Sequence, residues 1–254
     1  MISGIETNKC ADSFILIPGA WHGAWSWERV APELERRGSV VLTPDLPGLA
    51  DADAAISITL QTWARFVADL TESQSGKVIL VGHSRGGAII SQAAEYASDR
   101  LAALVYVSGM LLADGESVLG FGAEKGMSPE LAAAILAAPD GRSLSVRKDL
   151  IGPAFYNCTP QAWIDRAASL VCIEPTAPNA TPLQLTDARF GRIPRYYVEC
   201  LRDAILPIPL QQYMYKRIPC RRVIALDTDH SPFYSAPHEL ARALLSIAAE
   251  LSPQ

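Results

Sequence analysis

Six short runs of apolar residues punctuate the chain: Phe14-Ile15-Leu16-Ile17-Pro18, Val40 to Thr43, Val78 to Val81, Leu104 to Val107, Tyr196 to Leu201, and Arg222 to Leu226. Apart from Thr43, Glu199 and Arg222 they are apolar rather than alternating, as strands buried on both faces are. Between them, apolar positions recur three and four apart. The clearest case is Thr59 to about Glu72, where Leu60, Trp63, Phe66, Val67 and Leu70 share one helical face. A helix capped by Ser26 is expected to run to about Arg37 and stop at Gly38. Others are expected after Gly87, from Leu210 to Lys216, and from Pro237 to Leu251. Helices alternating with fully apolar strands predict an α/β fold: a mostly parallel sheet with helices on both faces.

The alternation breaks between Met110 and about Ile193. Helices are expected there, one opened by Ser128-Pro129-Glu130 and another by Thr159-Pro160, but no strand. Glu174 to Pro182, rich in Pro, Thr and Ala, reads as an extended return. The division that follows is a core of residues 1–110 and 194–254 with a helical lid inserted at 111–193. A helical insertion after a strand can cover a site at the strand ends.

Composition narrows the class. The 254 residues are 49% hydrophobic and 19% charged, with a formal charge of -5, which describes a folded globular chain and offers no basic face for nucleic acid. Two short basic clusters, Lys216-Arg217 and Arg221-Arg222, read as a solvated rim. No run is apolar for long enough to span a membrane, and the N-terminal stretch lacks a secretory pattern. Five scattered cysteines, Cys10, Cys158, Cys172, Cys200 and Cys220, suit idle thiols in a reducing cytoplasm. They make no metal-type pair, and no metal or organic cofactor is expected.

The candidate chemistry lies at the junction Val81-Gly82-His83-Ser84-Arg85-Gly86-Gly87. A serine between glycines, where a strand turns directly into a helix, is a nucleophile elbow. The pentapeptide is weak by itself, and its setting gives it weight. A serine hydroxyl needs a base, and the base needs a group that holds its tautomer. Of four histidines, His83 beside the serine is expected to be structural, His22 either lines the site or braces its loop, and His238 belongs to the surface. His230 follows the last strand, at the sheet edge where the elbow opens, and is the candidate base. Asp203, just past the Tyr196–Leu201 strand, is the candidate acid, with Asp114 the second choice; Asp227 and Asp229 are expected to shape the His230 loop. Acyl chemistry also needs donors for an oxyanion: the backbone N–H groups of Arg85 and Ala20, with Gly19 leaving room for the oxygen. The Arg85 side chain is expected in a salt bridge under the loops.

The stretches Gly19 to Trp27, Val81 to Gly87, Tyr156 to Pro160, Thr186 to Arg195, Cys200 to Asp203 and Asp229 to Pro232 together resemble the α/β-hydrolases of the plant methylesterase and hydroxynitrile lyase group. The similarity is greatest to bacterial esterases of that group that open pyrethroid esters or carbamates. The resemblance implies a triad of Ser84, His230 and Asp203 and a small-molecule ester substrate, and, since members of the group often dimerise, it leaves a homodimer open. Two departures argue against lyase chemistry: Gly19 stands where family lyases carry threonine, and Ser231 where they carry lysine. Pro18 replaces the family's usual histidine, and Arg85 the leucine or methionine of the plant enzymes. The expectation is a serine carboxylesterase acting on small to medium apolar or aromatic esters. Gly19, Trp21, Met110, Phe121, Phe155, Tyr156, Trp163 and Phe233 are its candidate substrate contacts. A carbon–carbon lyase and a non-catalytic small-molecule receptor are the alternatives.

Overall fold

The computed structural model describes residues 13–49 and 58–251; Cys10 and the N-terminal stretch lie outside them. The apolar runs become strands β1 (Ser13–Ile17), β2 (Val40–Leu42), β3 (Val78–His83), β4 (Leu101–Val107), β8 (Arg195–Cys200) and β9 (Arg222–Leu226). They form one sheet in the order β2-β1-β3-β4-β8-β9, and every neighbouring pair is parallel. Strands β1 and β3 are buried at every position, so both faces are covered. Helices α2 (Leu60–Glu72) and α3 (Gly86–Ala97) pack together, as do α1 (Ala31–Glu35) and α11 (Pro237–Leu251). The strand order reverses between β1 and β3, so the loops after them diverge and leave a crevice at their C-terminal ends.

Thr59 caps α2 as expected of a threonine before an amphipathic run: its Oγ1 accepts from the N–H of Thr62, and the Thr62 hydroxyl accepts from the N–H of Thr59. Ser26 does not cap a helix. Its hydroxyl donates to Gly23 O inside a 3-10 turn (Ala24–Trp27), and α1 starts only at Ala31. Pro32 has no N–H for a bond back to Glu28, which rules out one continuous helix from Ser26.

Residues 111–193 enter from β4 and return to β8, its neighbour in the sheet. The two helices expected there are present, α5 (Pro129–Ala134) and α7 (Gln161–Leu170), beside three that were not located, α4 (Val118–Lys125), α6 (Ile151–Phe155) and α8 (Thr176–Ala180). The insertion also holds an antiparallel sheet of β5 (Ile135–Ala137), β6 (Ser143–Val146) and β7 (Glu174–Pro175), which corrects the strand-free reading. The stretch read as an extended return is thus a strand followed by a helical turn. The β5–β6 connection, residues 138–142, holds Pro139-Asp140-Gly141 at its centre, with Gly141 at φ +71°, a turn written in proline, aspartate and glycine.

The remaining core helices are α9 (Ile208–Arg217), α10 (Pro232–Ser235) and α11. The basic clusters are paired rather than merely solvated. Arg217 grips Glu116 of the insertion with two hydrogen bonds of 2.5 and 2.7 Å, and Arg221 and Arg222 both face Glu250. No helix among the described residues is long and apolar enough to cross a membrane.

Candidate active site

Strand β3 delivers its chain to the sheet edge, and the next helix must start almost at once. Ser84 sits in that turn at φ +49°, a left-handed conformation that costs a non-glycine residue energy. Its N–H donates to Val107 O, and its carbonyl accepts from Met110 and Gly87, so the backbone is fixed and the hydroxyl is left at the turn's apex. The neighbouring glycines permit the closeness. A β-carbon on Gly82 would stand 2.5 Å from Gly86 O, and one on Gly86 would stand 2.8 Å from Ile17 O.

His230 follows β9 and is buried, and its ring lines the same cavity as Ser84. Its Nδ1–H donates to Asp203 Oδ2 at 2.7 Å, which leaves Nε2 as the acceptor. Asp203 follows β8. Its Oδ1 accepts from the N–H groups of Ile205 and Leu206 at 2.7 and 2.8 Å, and its Oδ2 also accepts from the Ser108 hydroxyl. Four donors fix this carboxylate in place. Ser108 had no signal in the sequence beyond its position just past β4.

The other candidates for base and acid fall elsewhere. His83 Nε2–H donates to the His230 carbonyl at 2.7 Å, and burial holds the imidazole well below its ordinary pKa, so it is neutral and backs His230. His22 is pushed down to about 4, chiefly by burial. Its Nδ1–H donates to Ala20 O and its Nε2 accepts from the Tyr156 hydroxyl, both at 2.6 Å, so it braces its loop. His238 is exposed beside Glu33. Asp114 accepts from the N–H of Leu185 within the insertion, and Asp227 pairs with Arg202. Asp229 accepts from Cys158 N, Thr159 Oγ1, Ser231 N and Ser235 Oγ, pinning the His230 loop to the start of α7.

Arg85 is fully enclosed. Its Nε meets Glu174 Oε1 at 2.8 Å, its Nη2 donates to Gly19 O at 2.7 Å, and the guanidinium lies 4.5 Å over the Trp63 ring. Burial raises the Glu174 carboxyl, and the charge of Arg85 opposes that rise. Sequence reasoning expected a salt bridge here but not its partner, which comes from the insertion 89 residues away.

Ser84, His230, Ala20 and Arg85 border a cavity of roughly 860 Å³ including its open mouth. Of the candidate contacts Trp21, Met110, Phe121 and Phe155 line it, with aliphatic residues such as Val118, Leu131, Ile135 and Leu206 completing the wall. Four expected contacts are absent from that wall. Gly19 lies behind it, where a β-carbon would come 2.6 Å from His83 Nδ1. Tyr156 is turned toward His22, Trp163 packs on Tyr234, and Phe233 sits edge-on to His83 and His22. These aromatic residues fill the space between insertion and core, since rings on facing surfaces pack as readily as they line a cavity. Among the described residues no cluster of His, Cys, Asp and Glu could hold a metal ion.

The chain resembles known proteins over most of its length. A pyrethroid hydrolase of Sphingobium wenxiniae is 33% identical over 92% of this chain and 86% of its own length. Methylesterase 7 of Arabidopsis thaliana is 30% identical over 92% of this chain and 95% of its own. A longer chloroplastic relative from Arabidopsis thaliana is 32% identical over 99% of this chain, which spans 66% of that protein. The crystal structure of a pyrethroid hydrolase from Sphingobium faniae superposes with a TM-score of 0.85 at 32% identity, covering 94% of this chain and 98% of that one. Residues 14–243 match the alpha/beta hydrolase family, and with the parallel sheet, the strained serine at its edge and these relatives, the chain belongs to that family.

Proposed function

We propose that this protein is a serine carboxylesterase that hydrolyses neutral, apolar or aromatic esters through an acyl-enzyme. The observation that carries the reading is a single cavity bordered by Ser84 in a left-handed turn and by His230, whose tautomer Asp203 fixes. His230 Nε2 takes the Ser84 proton as Oγ bonds to the ester carbonyl carbon. The resulting oxyanion accepts from the N–H groups of Ala20 and Arg85, neither of which has a protein acceptor among the described residues. The tetrahedral carbon then expels the alcohol, whose oxygen receives the proton from His230. Water repeats the sequence in reverse order, releasing the carboxylic acid and restoring Ser84.

The cavity wall is apolar, and Arg85, the one cationic lining residue among the described residues, is already paired with Glu174, which favours uncharged substrates. Named activities of the relatives, on pyrethroids and on methyl esters, are compatible with that chemistry. A lyase reading is disfavoured because the site of the family lyases' threonine has no room for a β-carbon here. The insertion, which supplies about half of the cavity wall, acts as the lid that selects the ester.

The test is labelling with a fluorophosphonate probe, together with turnover of aryl acetates, methyl esters of aromatic acids, carbamates and pyrethroids. Wild type is expected to label at Ser84, and Ser84→Ala to lose at least about four orders of magnitude in kcat. Unlabelled wild type with no turnover would make the protein a binding module instead.

A further inference from the structure

The loop after β1 keeps one donor in reserve. Gly19 O accepts from Arg85 Nη2 at 2.7 Å and from His22 N at 3.3 Å. Ala20 O accepts from His22 Nδ1 at 2.6 Å. The N–H of Trp21 donates to Glu174 Oε2 at 3.2 Å, and its carbonyl accepts from Cys172 N at 3.1 Å. From Gly19 O to Trp21 O, among the described residues, only the N–H of Ala20 has no protein partner.

Arg85 holds the peptide that carries that N–H, and Glu174 holds the next one. The carbonyl of Gly19 and the N–H of Ala20 belong to the same planar trans peptide and point in opposite directions. By gripping Gly19 O, Arg85 therefore fixes where the N–H of Ala20 points. Glu174 holds the next N–H, that of Trp21, whose φ of +63° would relax if it were released. Glu174 is in turn held by Arg85 and by Asn179 Nδ2 at 3.1 Å. Both charges are buried, so neither has water as a substitute partner.

We propose that the Arg85–Glu174 ion pair is the positioning device of the oxyanion site: Glu174, a residue of the insertion, acts through Arg85 and Trp21 to aim the N–H of Ala20. The proposal rests on the ester hydrolase reading above. A pair that merely stabilised the fold would be replaceable by apolar residues at little cost to the reaction. A positioning pair would not, because a displacement of about 1 Å at a reacting group can cost about a hundredfold in rate.

The experiment compares wild type, Glu174→Gln and the double variant Arg85→Met/Glu174→Met, with kcat and KM measured on an aryl ester well below each Tm. Glu174→Gln leaves Arg85 buried without its counter-charge, so folding is its risk; the double variant removes both charges together. Both variants are expected to label with the fluorophosphonate at Ser84, with kcat lowered roughly ten- to a hundredfold and KM within about threefold of wild type. A folded variant with kcat within about twofold of wild type overturns the proposal. Failure of both variants to fold also overturns it, in favour of a purely structural pair. If wild type itself neither labels nor turns over ester, the underlying reading has failed, and these variants are not what decides it.

Discussion

Among the described residues three non-glycine positions hold a left-handed backbone, Trp21, Ser84 and Ser108, and they stand in the loops after β1, β3 and β4. Each has a task at the site: Trp21 follows the free N–H, Ser84 carries the hydroxyl, and Ser108 donates to Asp203. Strain of this kind persists only where neighbours over-determine it, and two substitutions test those neighbours. Gly19→Ala would put a β-carbon 2.6 Å from His83 Nδ1 and 3.1 Å from Ser84 Cβ. Overpacking there should lower stability by about 1–3 kcal/mol in denaturant titration and lower kcat as well; unchanged values for both would refute the contact. Tyr156→Phe should leave His22 Nε2 without its donor, costing about 1–3 kcal/mol, with little change in KM because Tyr156 is not on the cavity wall. A large rise in KM would put Tyr156 back among the substrate contacts. At this scale the sequence revealed residues whose position relative to a strand end implies a task, such as Ser84 and His230. It hid Ser108 and Glu174, whose partners lie 95 and 89 residues away and whose local sequence carries no mark of the pairing.

Helix α3 approaches β1 closely enough that Gly86 has backbone oxygens of Ile17 and Pro18 within 2.9 Å of where a β-carbon would be. Gly86→Ala must push the helix off the sheet and tilt the elbow with it. The expected result is a loss of about 1–3 kcal/mol in stability together with reduced Ser84 labelling, measured as the rate of fluorophosphonate incorporation. Full labelling at wild-type rate would mean that the elbow does not depend on this approach. The core strands were readable because a strand buried on both faces has to be apolar throughout. The insertion's strands are only two to four residues long, too short to show a period. Their one sequence mark was the Pro139-Asp140-Gly141 turn. The break at α1 was likewise written in Pro32, which outweighed the capping preference of Ser26.

Over the whole molecule, two buried neutral histidines set the response to acid. His22 is held near 4 and His83 well below its ordinary value, both chiefly by burial. In the unfolded chain each would protonate near pH 6.5, so between pH 6.5 and 4 the unfolded state binds more protons than the native one. Their contribution is complete above pH 6.5 and is lost as pH falls through that window. For His22 the loss amounts to about 3 kcal/mol at its lower end. Glu174 works in the opposite sense, since its raised carboxyl binds a proton more readily in the native state. Two histidines outweigh it, so calorimetric Tm should drop steadily from pH 7 to pH 4.5. A Tm that holds constant across that range would contradict the burial of these rings.

The salt bridge between Arg85 and Glu174 also limits how this architecture can be recombined. An insertion between β4 and β8 looks exchangeable, because its two ends join neighbouring strands and a foreign segment could be spliced at the same seams. Yet the core keeps Arg85 beneath the elbow, sealed from water, and its counter-charge travels with the segment removed. A chimera that imports another insertion without a carboxylate at that place inherits a stranded cation. Arg85 and Glu174 are therefore a heritable unit: a chimera that folds must either carry both residues or discard both, and only the first choice keeps the Ala20 N–H aimed.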